Sequence, residues 1–443
     1  MIARLAAAFL LLAACAARPA RAQSTAPASG LSMEEAIRKA IETNLTAKLA
    51  SAGAVEARGR LLQEAASLLP QVTGTMSQAR TFKENLTSLG FAGNNPLIGN
   101  PVIGPFDVFD ARLNLSWKLL DVGAIWSVKE ALARDRVALL QVDLAAEQVA
   151  SAAALAFIED LRSIKALSDA QSNYGLAQRL SALTRHQHDA GVANGVDMAR
   201  AETRVSVDEQ GLIQAALAAY EADVRLKRVI GTPLAENVSL AEPPAETPVE
   251  VPEERPSLAA AETDRFELRI GREQVAAETD AVAAARSESL PVLTAFGDYG
   301  FSGNLPSSTA RTGQIGGRLE LPIITGGGRL GRIKEAKGGR DAARSRYDDV
   351  RIQIEEDARI ALHALAAEKE DLDAAEKRVA LAQRELELAQ RRYRDGVGDN
   401  IQIVTAQSSL SDALQARTNA WARYADARLN MAAALGRART FRL

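Results

Sequence analysis

The 443-residue chain is 47% apolar and 25% charged, which excludes a wholly disordered protein. A net charge of −3 offers no basic excess for a nucleic-acid partner. One cysteine and three histidines exclude a disulfide framework and argue against a zinc site or a Cys/His catalytic pair, while 4% aromatics with abundant Ala, Leu, Arg, Glu and Gln suit long helices.

The first residues read as a targeting segment. Arg4 supplies a positive start, Leu5 to Ala14 is an apolar stretch too short to span a bilayer, and Ala20-Arg21-Ala22 has the small-x-small form of a signal-peptidase site. Residues 1–22 are therefore expected to be a signal peptide. Cleavage there removes Arg4, Arg18 and Arg21 and takes the net charge from −3 to −6. A second reading stays open: Leu12-Ala13-Ala14-Cys15 resembles a bacterial lipobox, in which Cys15 is lipidated and becomes the first residue. Either route exports the chain. No later apolar run reaches the roughly 18 residues of a membrane helix, so none is expected.

The rest is a tandem repeat. Lys129-Glu130-Ala131 recurs as Lys334-Glu335-Ala336, Gly191 as Gly396, and Gly231 as Gly436, all at an offset of 205 residues. Upstream, Leu69-Pro70 matches Leu290-Pro291 at an offset of 221, so the first copy carries a 16-residue excess between these anchors. The expected units are residues 23–231, a Pro-rich connector at 232–260, and residues 261–443. The stretch Thr232 to Pro256 holds six of the 15 prolines and is expected to be extended, not helical.

Each copy reads helix, strand, loop, strand, then two long helices. Ser32 and Glu35 form a capping box opening a helix that runs to about Leu68 and stops at Pro70. Its counterpart is expected from about Ala261 to Glu288. Next, Ala111, Leu113, Leu115, Trp117 and Leu119 alternate with Arg112, Asn114, Ser116 and Lys118, and Ile315, Gly317, Leu319, Leu321 and Ile323 alternate with polar residues and Gly316. Both runs have period two, with one apolar and one polar face. Partner strands are expected near Val72 to Phe82 and Val292 to Phe301, joined by irregular loops at Glu84–Asp107 and Ser302–Gly313. The long helices carry a heptad seam, Ile354, Ala358, Ala361, Leu365, Leu372, Ala375, Val379, Ala382, Leu386, Ala389 and Tyr393, echoed at Leu167, Ala170, Tyr174 and Ala177. A helix from Gly328 to Asp395 would be roughly 100 Å long.

Strands with one apolar and one polar face fit a soluble sandwich or a membrane barrel. Four strands cannot close a barrel, and open edges are not tolerated in a bilayer. In a membrane, several chains must therefore share one barrel, and three chains would give twelve strands around an aqueous pore.

These elements resemble the TolC family of Gram-negative outer membrane factors. The carriers are Leu31-Ser32-Met33-Glu34-Glu35-Ala36-Ile37, Leu68-Leu69-Pro70-Gln71-Val72, Leu119-Leu120-Asp121-Val122-Gly123, Thr325-Gly326-Gly327-Gly328-Arg329 and the helical turn in each copy. The resemblance implies a mainly α fold with a β membrane part: a homotrimer with a long coiled-coil periplasmic helical barrel and a 12-stranded outer membrane β-barrel. It implies passive conduction in an efflux pump or type I secretion system, energised by an inner-membrane pump through a periplasmic adaptor. It implies no enzyme activity and no cofactor.

The candidate sites are the helix–turn–helix tips. Gly191 and Gly396 suit helix C-caps, and Asp197 lies near the start of the following helix. The resemblance places adaptor contacts at Gly191, Val192, Gly396 and Val397. It also suggests a carboxylate ring at a pore constriction, with Asp395 and Asp399 as candidates, and closing ion pairs among Asp189, Asp197, Arg391 and Arg394. Copy two has Gln402 where copy one has Asp197, which breaks the symmetry of that position. His186 and His188 point about 200° apart on a helix, which argues against a shared metal ion. Trp117 and Trp126 flank a strand-to-helix switch where a membrane interface could lie. A different reading, an exported coiled-coil structural or adhesive protein without transport activity, has no use for the alternating strands.

Overall fold

A computed structural model describes residues 30–85, 102–191, 193–241, 251–395 and 399–443. The signal segment with Cys15, Val192, Gly396, Val397 and much of the 84–107 loop lie outside the described residues.

The chain begins with α1 (Met33–Thr43), opened by the capping box: Glu35 N–H donates to Ser32 Oγ and Ser32 N–H to Glu35 Oε2, each 3.3 Å. The expected continuous helix to Leu68 breaks at Asn44. That residue is extended, and its side chain accepts from Thr46 N–H at 2.9 Å, capping α2 (Leu45–Ala66) instead of continuing α1. Strand β1 (Gln71–Thr81) follows. Short strands β2 (Glu84–Asn85) and β3 (Val102–Ile103) pair with each other, so the ends of the expected irregular loop form a small ladder. Then come β4 (Phe106–Leu120), α3 (Val122–Asp189, 68 residues) and α4 (Gly195–Ile230, 36 residues).

The same order recurs as α5 (Glu254–Asp264), α6 (Phe266–Ser287), β5 (Val292–Gly303), β6 (Thr309–Glu320), α7 (Gly328–Arg394, 67 residues) and α8 (Asn400–Ala434, 35 residues). Three expectations shift here. The proline-rich stretch turns helical at Glu254, because Pro256 falls in the first turn, where no intrahelical N–H partner is lost. Strand β6 ends at Glu320, short of Ile323, since Pro322 cannot donate to a ladder. The β5–β6 connection shortens to residues 304–308, because pairing runs out to Gly303 and Thr309. In each copy the second long helix is about half the length of the first.

The two helix breaks share a cause. Helix α4 ends at Gly231 in the left-handed region (φ +68°), against the α1–α2 break: a Cβ on Gly231 would lie 2.5 Å from Thr43 Oγ1, which donates to Ile230 O at 3.0 Å. At the corresponding place, Gly436 (φ +70°) sits against Asp264 and Arg265, where α5 gives way to α6. Each break thus seats the end of a long helix.

The main core joins both copies. Ala150, Ala153, Phe157 and Ile158 of α3 pack with Leu226 and Ile230 of α4, Leu365 and Leu372 of α7, and Ala420, Ala425 and Leu429 of α8. All seam positions of α7 from Ile354 to Ala389 are buried. Small alanines let the helices approach closely, and about 25 cal/mol per Å² of buried apolar surface makes this seam a main source of stability. One stretch of α3 is long and apolar enough for a membrane span, contrary to expectation, yet half of it is buried against other helices, as in a core helix. The chain's end closes this region: Ala438 and Phe441 are buried, and Arg439 Nε donates to Glu147 Oε1 at 2.6 Å.

Strands β1, β4, β5 and β6 form one antiparallel sheet in the order β1-β4-β5-β6. β1 and β6 are its edges.

Candidate functional site: the strand faces and the helical tips

The strand register sorts the two faces. One row across the sheet is Val72–Leu115–Gly297–Ile315, and the adjacent row on the opposite face is Thr73–Asn114–Asp298–Gln314. The alternation seen in the sequence therefore survives pairing, because a period of two keeps each set on one face. Among the described residues the apolar face is largely uncovered, although Phe109 on it is buried. Ile315 is 89% exposed, Met76 77%, Leu319 68% and Val72 63%. In water such a face would be a heavy liability. The opposite face carries Thr73, Thr75, Asn114, Ser302, Thr312 and Gln314 together with charged groups. Trp117 Nε1–H donates to Leu68 O at 3.0 Å, tying β4 to the turn after α2. Trp126 lies within α3, with Lys129 Nζ 3.9 Å above its ring.

At the other end of the long helices, α3 stops through a left-handed Gly191 (φ +76°), whose N–H donates to His188 O at 2.9 Å. A side chain with Cβ is disfavoured there. Helix α4 then opens on its own capping box: Asp197 N–H donates to Asn194 Oδ1 at 2.9 Å and Asn194 N–H to Asp197 Oδ2 at 3.4 Å. Asp197, in the first turn, thus completes the box around the N-cap Asn194, with Arg200 3.9 Å away. Asp189 is exposed and lies 3.7 Å from His188 Nδ1. His186 lies on the same last turn. Arg391 pairs with Glu387 one turn back, and Arg394 Nε–H donates to Gln390 O at 3.3 Å. Asp395 is the C-cap of α7 and Asp399 the N-cap of α8, both exposed.

Several tip residues were not legible in the sequence. Tyr393 of α7 is hydrogen-bonded to Thr184 of α3 with Asp197 of α4 nearby, and burial pushes its hydroxyl pKa up. Arg185 reaches Glu202 at 3.0 Å across α3 and α4. Asp208 is buried, accepting from Arg204 Nε–H at 3.0 Å and from Gln407 Nε2–H of α8 at 3.2 Å. Further rungs join α3 to α8: Asn173 to Ser411 at 3.0 Å and Asp169 to Thr418 at 2.9 Å. Two grooves flank the tips. One of about 260 Å³ is lined by Leu176, Leu180, Leu183, Tyr393 and Ile403; another of about 380 Å³ by Leu388, Ala389, Arg392, Ile401 and Gln402.

Higher on α3, Asp160 is 3% exposed, and its Oδ1 has no hydrogen-bond partner among the described residues. Burial, then Asp223, raises its pKa to about 6, against the pull of Lys227. Burial and Glu159 likewise raise Asp426 to about 6, opposed by Arg162.

Comparison with known proteins agrees with this geometry. Residues 253–437 match the family model described as outer membrane efflux protein. Nodulation protein T of Rhizobium leguminosarum bv. trifolii is 26% identical over 332 residues, covering 68% of this chain and 65% of that protein, so the matched region spans just under two thirds of the relative. The pyoverdine export outer membrane protein OpmQ of Pseudomonas aeruginosa is 25% identical over 390 residues, covering 81% of this chain and 76% of OpmQ. Among solved structures, the Campylobacter jejuni CmeC outer membrane channel superposes with a TM-score of 0.80 at 19% identity, covering 91% of this chain and 85% of CmeC. VceC of Vibrio cholerae gives 0.78 at 17% identity, over 91% of this chain and 96% of VceC. The fold shared with these structures combines long coiled helices with a β-barrel portion. With its alternating strand faces and coiled helices, the chain has the fold of TolC-type channels, and its second half resembles the outer membrane efflux proteins.

Proposed function

We propose that three copies of this chain close their open sheets into one twelve-stranded barrel in the outer membrane, with the helices hanging into the periplasm as a conduit. The observation that carries this is the sheet itself. Among the described residues its apolar face is largely uncovered, its other face is polar, and β1 and β6 leave two free edges. A bilayer satisfies the apolar face, and pairing β1 of one copy with β6 of the next satisfies the edges. The polar face then lines water. The chain is a passive pore that lets cargo cross once an energised inner-membrane pump delivers it through a periplasmic adaptor.

In this reading the tips are the gate and the docking surface. Gly191, Val192, Gly396 and Val397 meet the adaptor hairpin, supported by the two grooves of mixed apolar and charged lining beside the turns. Asp395 and Asp399 ring the narrowest point, where carboxylates favour cations. The Tyr393–Thr184 bond and the Arg185–Glu202 pair brace the closed arrangement. Residues 1–22 serve export and are absent from the mature protein.

Site-directed crosslinking tests the arrangement. Cysteine at Leu183 or Leu388, in the tip grooves, should capture the adaptor's hairpin in cells. Cysteine at Thr312, on the polar strand face, should not. Adaptor capture from Thr312 but from neither groove position would overturn the assignment.

A further inference from the structure

On the polar face of the sheet, Arg112 of β4 is held between two carboxylates. Its Nε–H donates to Asp110 Oδ1 at 2.6 Å, its Nη2 also bonds the Asp110 carboxylate, and its Nη1–H donates to Asp298 Oδ1 at 2.9 Å. Asp110 and Arg112 belong to the first hairpin and Asp298 to the second, so the guanidinium crosses from one copy of the repeat to the other. The crossing has a steric requirement. Gly300 is the residue of β5 paired with Arg112, and a Cβ there would lie 2.4 Å from Arg112 Cβ and 2.3 Å from Ala111 O. Only a hydrogen fits beneath the arginine. The group is partly shielded: the Arg112 side chain is 27% exposed and that of Asp298 10%.

The charges do not balance, since one guanidinium faces two carboxylates. Their neighbours at this level are uncharged: Thr75 and Thr312 in the Arg112 row, Thr73, Asn114 and Gln314 in the Asp298 row, and Ser77, Ser302 and Ala310 in the Asp110 row. The next charged row on this face lies toward the helical end and holds Lys118, paired with Asp121 at 3.0 Å, and Arg318, which packs over Phe296 at 5.4 Å.

We infer that Asp110, Arg112 and Asp298 form a charged collar in the barrel lumen, with one net negative charge per chain, that biases the pore toward cations independently of the tips. This rests on the trimeric pore proposed above. Twelve strands about 4.8 Å apart and tilted about 40° make a barrel roughly 24 Å across. Three net charges on such a wall act across the whole lumen when the screening length exceeds the radius, as it does at about 0.01 M salt, where it is about 30 Å, and not at about 1 M, where it is about 3 Å. The collar is separated from the acidic tip by the roughly 100 Å length of α3 and α7.

A charge series read in planar bilayers tests this. Reversal potentials under a salt gradient centred near 0.01 M give the cation-to-anion permeability ratio. Asp298→Asn brings the collar to zero and should lower the ratio. Asp110→Asn with Asp298→Asn leaves one positive charge per chain and should lower it further. Arg112→Gln leaves two negative charges and should raise it. All shifts should vanish near 1 M salt. The two Asp variants keep the test sound if Arg112→Gln fails to assemble. Shifts of opposite sign for Asp and Arg variants support the collar, because loss of a purely structural tie would not reverse sign. Unchanged ratios in both Asp variants, with conductance intact, overturn it. A wild-type protein that never conducts overturns the pore reading instead.

Discussion

Ile315 offers the sharpest single-residue test of where the sheet lives. It lies at the middle of β6, 89% exposed, in the row Val72–Leu115–Gly297–Ile315. On a water-facing strand, arginine there would change stability by no more than about 0.5 kcal/mol. Facing lipid near the bilayer midplane, it costs about 2–4 kcal/mol per chain. At about 1.4 kcal/mol per decade this is roughly 30- to 700-fold in the insertion equilibrium of each chain, and three chains compound it. The adjacent Gln314 is on the opposite face, beside Asp298. Gln314→Arg should therefore be tolerated. The assay is refolding into lipid vesicles across a urea series, scored by protease protection of the strands. Ile315→Arg should lose protection at far lower urea than Gln314→Arg. Equal behaviour of the two variants would refute the assignment of faces.

Asp160→Asn should raise stability at pH 7. Its pKa is raised in the folded chain from 3.8 to about 6, so stability is greatest below pH 4 and falls as pH rises toward 6, by at most about 3 kcal/mol; thermal unfolding of the variant should lose that slope, and an unchanged slope would refute the burial argument. At the tips, Val397→Asp should abolish adaptor coupling while the oligomer still assembles, as read by efflux and native mass, and full efflux would refute its role. Asp395→Ala with Asp399→Ala should lower cation preference in single-channel recordings, and wild-type selectivity would remove them from the constriction. Mass spectrometry of the mature N-terminus should find Gln23 with Cys15→Ser silent; an acylated Cys15 would establish the lipobox reading.

The parts of the fold legible in the sequence are those set by short periods. Alternation over Ala111 to Leu119 gave the strand faces, since pairing cannot change which side a residue occupies. The α7 seam was legible because every position from Ile354 to Ala389 meets the same kind of neighbour, another helix. The breaks at Asn44 and Arg265 were not legible. Neither is Pro or Gly, and each is fixed by a distant helix end, at Gly231 and Gly436. The rungs between α3 and α8 were hidden for the same reason: Asn173 and Ser411 are 238 residues apart, and polar residues on a helix surface ordinarily read as solvated. Tyr393 looked like another seam residue, and only its bond to Thr184 reveals a polar role.

The most direct measurement of the central claim couples native mass to conductance for one detergent-solubilised preparation. A particle of three chains is expected, with steady conductance steps when that particle enters a planar bilayer. A monodisperse single chain that conducts, or a stable trimer that never does, would contradict it.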